Sequence, residues 1–310
     1  MIKDIKGLHH VTSMAVDANT NNAFFTRTLG LRRVKKTVNF DAPDVYHLYY
    51  GDEVGTPGSV MTYFPFGRMP QGRRGIGEVG VTEFAVPKGS LDFWSDHLSK
   101  QGVTGLGRET AFGENRLTFD GPDHDSFALV ESDPLGRAAW TGGGISEDAG
   151  VLGFRGARFQ LRDAAATGEL LSFMGYQKGE TEGDLIRYVI EGGNAADTID
   201  LQELPGADAA SQGAGSVHHI AFAVEDRAAQ LRVREALMAT GYQVTPVIDR
   251  DYFWAIYFRT PGGILFEIAT NEPGFDRDED TKHLGEALKL PTRYEPRRAQ
   301  LEAMLPPIAA

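Results

Sequence analysis

Eight histidines occur in 310 residues, and four of them stand as two adjacent pairs, His9-His10 and His218-His219. Imidazole is a base, a proton carrier and a metal ligand, so this concentration is the first chemical signal in the chain. Each pair opens a strand-like run, Leu8-His9-His10-Val11-Thr12 and Val217-His218-His219-Ile220-Ala221. Asp17 and Asp226 each stand seven places after the second His. Thr-Pro-Gly follows in both contexts, at Thr56-Pro57-Gly58 and Thr260-Pro261-Gly262. The second leads into Ile264-Leu265-Phe266-Glu267-Ile268-Ala269, an apolar run with a single acid. His10, His219 and Glu267 make a two-imidazole, one-carboxylate facial triad that leaves coordination positions open, which suits non-haem Fe(II) and oxygen chemistry. Zn²⁺ and Mn²⁺ accept similar ligands, so the residue types do not select the metal. The chain has no cysteine, which excludes thiolate metal sites, disulfides and cysteine nucleophiles.

The elements that must position these residues recur. From Gly7 to Phe66 the pattern predicts a strand carrying His10, a helix over 18–30 closed by Gly30, and strands at 31–38, 45–50 and 59–64. The last unit repeats it, with strand 217–224, helix 227–240 and strands 243–248, 253–259 and 264–269. Two weaker copies lie between. One has a strand at 80–86, a helix at 90–101 and a closing strand at 126–131; the other has the same elements at 157–161, 164–174 and 198–202. Four βαβββ units of roughly 55 to 65 residues constitute an internal repeat. The linker from Asp133 to Gly150, with Gly142-Gly143-Gly144, divides them into two expected domains, 1–135 and 150–270. A tail, 271–310, carries expected helices at 281–288 and 296–305. It should pack back through Leu284, Leu288, Leu301 and Leu305, with a homo-oligomer contact as the alternative.

At matched positions, only the first and last units offer a His. The second reads Glu78-Val79-Gly80-Val81-Thr82 and the third Arg155-Gly156-Ala157-Arg158. Counting from Pro57 sets Tyr63 opposite Glu267 in the first unit; the second offers Ala128 there, and the third Asp200 without a His. A formal charge of −12 argues against nucleic acid as partner. The basic stretch Arg68 to Arg74 reads as a solvated loop. No apolar run suggests a membrane span, and the N-terminus lacks the apolar core of a signal peptide, so a cytoplasmic location is expected.

The chain resembles the vicinal-oxygen-chelate superfamily, and more closely its ring-cleaving dioxygenases of hydroquinones. The stretches that carry this resemblance are Gly7 to Thr12, Lys36-Thr37-Val38-Asn39-Phe40-Asp41, Tyr46 to Asp52, Pro57 to Pro65 and Leu305-Pro306-Pro307-Ile308. It implies an α+β fold of paired βαβββ modules forming cup-shaped mixed sheets, with a helical tail. It also implies that His10, His219 and Glu267 bind Fe(II), or Mn(II), and that O₂ is co-substrate to a small aromatic diol. Arg250 and Tyr257 would lie beside the substrate, and His9, Thr12 and His218 would match further positions around the metal. Relatives that cleave catechols usually take their ligands from the last two units. This chain departs from that pattern, because its third unit has no His.

Strand alternation supports these roles unevenly. Thr12 shares a face with His10, whereas His9 and His218 point away unless a bulge intervenes. Tyr257, on the strand before Glu267, is an acid or base if aimed inward and otherwise a core aromatic. Arg250 either attracts an anionic substrate or pairs with Asp249 or Asp251, and His47 reads as a satisfied core histidine. Competing readings are a catechol extradiol dioxygenase, a glyoxalase-type lyase or isomerase, and a non-catalytic binding protein of the same fold.

Overall fold

The protein is described from a computed structural model covering residues 1–133 and 135–308. Module 1 comprises β1 (Leu8–Ala15), α1 (Ala18–Ala23), β2 (Arg32–Val38), β3 (Tyr46–Gly51) and β4 (Val60–Pro65). Module 2 comprises β5 (Glu78–Pro87), α2 (Leu91–Lys100), β6 (Gly107–Ala111), β7 (Glu114–Asp120) and β8 (Ser126–Ser132). Module 3 comprises β9 (Phe154–Leu161), α3 (Ala165–Phe173), β10 (Gln177–Glu182), β11 (Leu185–Val189) and β12 (Thr198–Glu203). Module 4 comprises β13 (Val217–Val224), α4 (Arg227–Ala239), β14 (Ile248–Asp249), β15 (Phe253–Arg259) and β16 (Leu265–Pro273). The four copies expected from the repeat are therefore present as an α+β fold.

The aspartates seven places beyond each His pair start the module helices. Asp17 accepts from the Thr20 backbone N–H and Asp226 from that of Ala229, each supplying an N-cap. Two expected segments are shorter than the pattern suggested. Residues 18–30 hold an α-turn followed by a π-helical turn, Phe24–Thr28, which leaves both Phe24 and Phe25 buried. Of 243–248, only Ile248 enters a strand, since Thr245 instead bonds β15 through its backbone and hydroxyl.

The sheets do not follow the division at 133–150. One eight-stranded sheet runs β14-β15-β16-β13-β1-β4-β3-β2 and the other β10-β11-β12-β9-β5-β8-β7-β6. Module 1 pairs with module 4, and module 2 with module 3, through the antiparallel opening strands. The grouping expected from chain order, 1 with 2 and 3 with 4, is thus corrected. Opening strands carry the hydrogen-bonding edge that their own module leaves unpaired, and each finds it in a non-neighbour.

The residues facing away from the cups, among them Leu8, Val11, Ile220 and Phe222, join Trp94, Val233 and the other buried helix residues in one core. The basic loop is also tied down rather than solvated throughout. Gln71, Arg73 and Ile76 make bridges to Ala214, Ser211 and Ala209, and Arg74 donates to the carbonyls of Gly80 and His124. Arg68 and Arg73 remain exposed. In the tail, the expected helix 281–288 is one 3₁₀ turn, Thr281–His283, while Arg298–Met304 is helical (α5). Leu284, Leu301 and Leu305 are buried, and Lys289 donates its N–H to Lys36 on the β2 edge. Within the cup of modules 1 and 4, fully buried Lys35 pairs with Asp278 and Glu279 and pins the tail. Among the described residues, no helix is long and apolar enough to cross a membrane.

Candidate metal centre

His10 lies on β1, His219 on β13 and Glu267 on β16, three adjacent strands of one sheet. Nε2 of His219 stands 2.9 Å and Nε2 of His10 3.4 Å from Glu267 Oε2, and the two nitrogens are 3.3 Å apart. Ligand atoms of the three residues lie within 4.8 Å of one another, and all three side chains are buried. Neither oxygen of the Glu267 carboxylate accepts a well-directed hydrogen bond, although the residue is 0 % exposed. Burial would raise its pKa, but His10 and His219 outweigh it and hold the carboxyl well below the usual range. A buried carboxylate facing two imidazoles, with the Tyr257 hydroxyl also beside it, fits a divalent cation.

The proton arrangement on the imidazoles fits as well. His9 Nε2 lies 3.1 Å from the Thr270 carbonyl, which only accepts, so that nitrogen carries the hydrogen. Burial lowers the His9 pKa to about 3, so the ring is neutral and its Nδ1 is an acceptor. His10 Nδ1, 2.9 Å away, must then donate, so in the neutral ring Nε2 is the atom whose lone pair is available on the Glu267 side. His218 and His219 repeat the contact, Nδ1 to Nδ1 at 2.8 Å. Such outer partners fix the tautomer and orientation of ligating imidazoles.

Alternation alone would have turned His9 and His218 away from the cup, and two β-bulges explain why they lie alongside their neighbours. In the β1–β13 ladder His10 pairs with Ala221 and Thr12 with His219, while His9 and His218 are skipped. The bulges are related by the same pseudo-twofold that carries His10 onto His219. The two residues still differ: His218 lines the cavity beside the triad, whereas His9 sits behind His10 against a separate hollow with Tyr252 and Phe275.

The twofold also corrects the residue opposite Glu267. Glu267 pairs with Ala221, and the equivalent pair in module 1 is Thr62 with Thr12. Counting from proline gave Tyr63 because the module 4 turn is one residue longer before its closing strand. Tyr63 faces the core and its hydroxyl bonds Asp125. Thr62 Oγ1 is 2.8 Å from Thr12 Oγ1 and 2.8 Å from His47 Nε2.

A cavity of about 290 Å³ opens beside the triad. Tyr257, paired with Glu267 across the ladder, packs its ring edge-on to His219 at 5.7 Å. Burial first, then the Glu267 charge, push its phenol well up, so the hydroxyl stays protonated. Arg250 Nε donates to Tyr257 Oη at 3.2 Å and the guanidinium also meets exposed Asp41, rather than Asp249 or Asp251. His47, expected in the core, lines the cavity with Tyr49, Phe64 and Phe253. Phe253 supports His9 and His10 at 5.2 and 4.9 Å. The signal for His47 and Tyr49 was present, since positions 47 and 49 share a strand face.

Comparison with known proteins agrees with this architecture. Residues 151–268 match the model of the Glyoxalase/Bleomycin resistance protein/Dioxygenase superfamily. The chain is 43% identical to the Bacillus subtilis (strain 168) protein named "Putative ring-cleaving dioxygenase MhqO", over 99% of this chain and 98% of that one. It is 35% identical to the chlorohydroquinone/hydroquinone 1,2-dioxygenase of Sphingobium indicum, covering 94% and 93% of the two chains. A crystal structure of a Bacillus subtilis "putative dioxygenase" superposes with a TM-score of 0.95 at 43% identity, covering 99% of this chain and 98% of that one.

Proposed function

Because this chain belongs to the Glyoxalase/Bleomycin resistance protein/Dioxygenase superfamily, and within it to the ring-cleaving dioxygenases, we propose that it opens the ring of a para-dihydroxybenzene with O₂ at a metal held by His10, His219 and Glu267. The observation that carries the reading is the buried Glu267 carboxylate, faced by the Nε2 atoms of His10 and His219 from adjacent strands. Fe(II) is the metal this ligand set suits best, with Mn(II) as the alternative. When bound, the metal supplies acidification of a phenol and the activation of O₂.

The chain's own side chains prepare the substrate for that chemistry. Arg250 gives the cavity a cation at the Tyr257 side, which attracts a phenolate. The protonated Tyr257 hydroxyl, next to His219, would offer a hydrogen-bond donor to a substrate beside the triad. Phe40, Phe64 and Phe253 make the remaining wall apolar, which excludes water and matches an aromatic ring. His218 presents a neutral imidazole at the cavity, since burial lowers its pKa to about 4. His9, by contrast, orients His10 from behind.

Oxygen uptake by protein loaded anaerobically with Fe(II), and separately with Mn(II), tests the reading. Hydroquinone and its chloro and methyl derivatives should be consumed, with a ring-opened product that has gained two oxygen atoms. Uptake with catechols alone would replace the para-diol by an ortho-diol. Silence with every diol, despite stoichiometric metal, would overturn the activity.

A further inference from the structure

The pseudo-twofold of the metal cup has a second consequence, for a residue on the opposite wall. Tyr257 pairs with Glu267, and the equivalent partner of Thr62 is Tyr49. The site therefore holds two phenols at symmetric places, and both line the cavity. Their surroundings differ. Tyr257 touches His219 and the Arg250 cation. Tyr49 is 1 % exposed, and its Oη lies 2.8 Å from Nδ1 of His47. The His47 ring is held between Tyr49 and Phe64, with centroids at 4.0 and 4.3 Å, and its Nε2 meets Thr62. At the place equivalent to His47, module 4 has Ala255, two residues before Tyr257. The Tyr49–His47 pair is thus an addition to this wall alone.

We propose that Tyr49, oriented by His47, is the receptor for the distal hydroxyl of a para-diol whose other oxygen lies at the triad. The proposal rests on the ring-cleavage reading above. With the His47 hydrogen on Nε2 and directed at Thr62, Nδ1 accepts the Tyr49 O–H. The Tyr49 oxygen then keeps lone-pair capacity for a hydroxyl donated from the cavity. β3 is two strands from β1 across β4, roughly 10 Å at ordinary strand spacing, and the tyrosine side chain shortens the gap to one an aromatic ring can bridge. The second hydroxyl of a catechol, adjacent to the first, would turn to the triad and leave Tyr49 unmet. His47 is a positioning residue, since it acts through Tyr49.

Anaerobic calorimetric titration of the metal-loaded protein with hydroquinone, phenol and 4-methoxyphenol tests this. The three share a phenol, but only hydroquinone can donate from the para position. Hydroquinone should bind the wild type about tenfold tighter than the other two, within the range of one hydrogen bond. Tyr49→Phe should bind phenol as before and lose most of the preference. His47→Leu should lose it too, while His47→Gln, whose amide oxygen can accept from Tyr49, should regain part of it with metal content unchanged. Equal binding of hydroquinone and 4-methoxyphenol by the wild type would overturn the proposal without any variant. An unaltered hydroquinone preference in Tyr49→Phe would do the same. If hydroquinone turns over while either result holds, only the role of Tyr49 falls; if the wild type neither binds nor consumes it, the functional reading falls as well.

Discussion

In the cup of modules 1 and 4, the β1–β13 ladder skips His9 and His218; in the cup of modules 2 and 3, the β5–β9 ladder skips Gly80 and Arg155 at the same places. The two sheets can therefore be compared residue by residue. Where the first has His10 and His219, the second has Val81 and Gly156. Where the first has Glu267, the second keeps an acid, Asp200. Tyr257 becomes Arg187, and His47 becomes Arg116. The acid remains in both cups, and its charge is met in different ways. Arg187 and Arg116 pair with Asp200 at 2.8 and 3.3 Å, and Arg116 reaches Glu83 at 2.6 Å. Glu267 has imidazoles alone as ion-pair partners among the described residues. A buried carboxylate needs positive charge nearby. One cup carries guanidinium groups for it, and the other leaves room for an ion.

The mouths differ accordingly. In the second cup the Phe112 ring lies over Arg187 at 4.1 Å, and the Phe112 N–H donates to Glu182 across the sheet edges. Arg116 and Arg187, with their acidic partners, occupy the interior there. The first cup stays open beside its triad, with its far end filled by Phe275 and Leu284 of the tail. The backbone, bulges included, is thus common to the two cups, and it is the side chains that set them apart.

The comparison breaks most completely at the triad. His219→Ala or Glu267→Ala should abolish stoichiometric metal binding, read by elemental analysis, while circular dichroism shows a retained fold. Full metal in both variants would remove the basis for distinguishing the cups. The reverse exchange should fail structurally. A Cβ at Gly156 would meet the Thr198 carbonyl oxygen at 2.1 Å, so Gly156→His should unfold the protein rather than build a second centre. A folded Gly156→His, Val81→His variant that binds a second equivalent of metal would contradict this.

Arg116→Met probes the second cup alone. It leaves Glu83 and Asp200, both 0 % exposed, short of a cation, and should cost about 3–5 kcal/mol in denaturant unfolding. Metal content should not change; a coupled loss would show that the cups are not independent. The smallest effect concerns pH. His9 is held at about 3 against an ordinary value of 6.5, so the folded state refuses a proton that the unfolded state takes. Its contribution is complete above pH 6.5 and is lost as pH falls toward 3, by about 1.4 kcal/mol per pH unit. Unfolding midpoints of metal-free protein between pH 6 and 4 should fall less steeply in His9→Asn, and an unchanged slope would contradict the buried neutral ring.

Much of this was legible in the chain. The His pairs, the matched aspartates and the repeated Thr-Pro-Gly mark equivalent points of modules 1 and 4, because N-caps and turns are written in local residue types. Less was legible where one residue of register matters. The longer turn at Gly262-Gly263 shifted the apparent equivalent of Glu267 from Thr62 to Tyr63, which reverses the strand face. His47 looked like a core residue because a single strand does not reveal which of its faces a cavity will meet.

The sequence by itself determined four modules, the identities of His10, His219 and Glu267, and the absence of a comparable His pair in modules 2 and 3. Those follow from periodicity and side-chain chemistry, which are local. Only the tertiary structure decided that module 1 joins module 4, that bulges bring His9 and His218 beside His10 and His219, and that arginines fill the other cup. Those depend on which unpaired strand edges meet and in what register, contacts made between residues as far apart as 84 positions in one cup and 209 in the other.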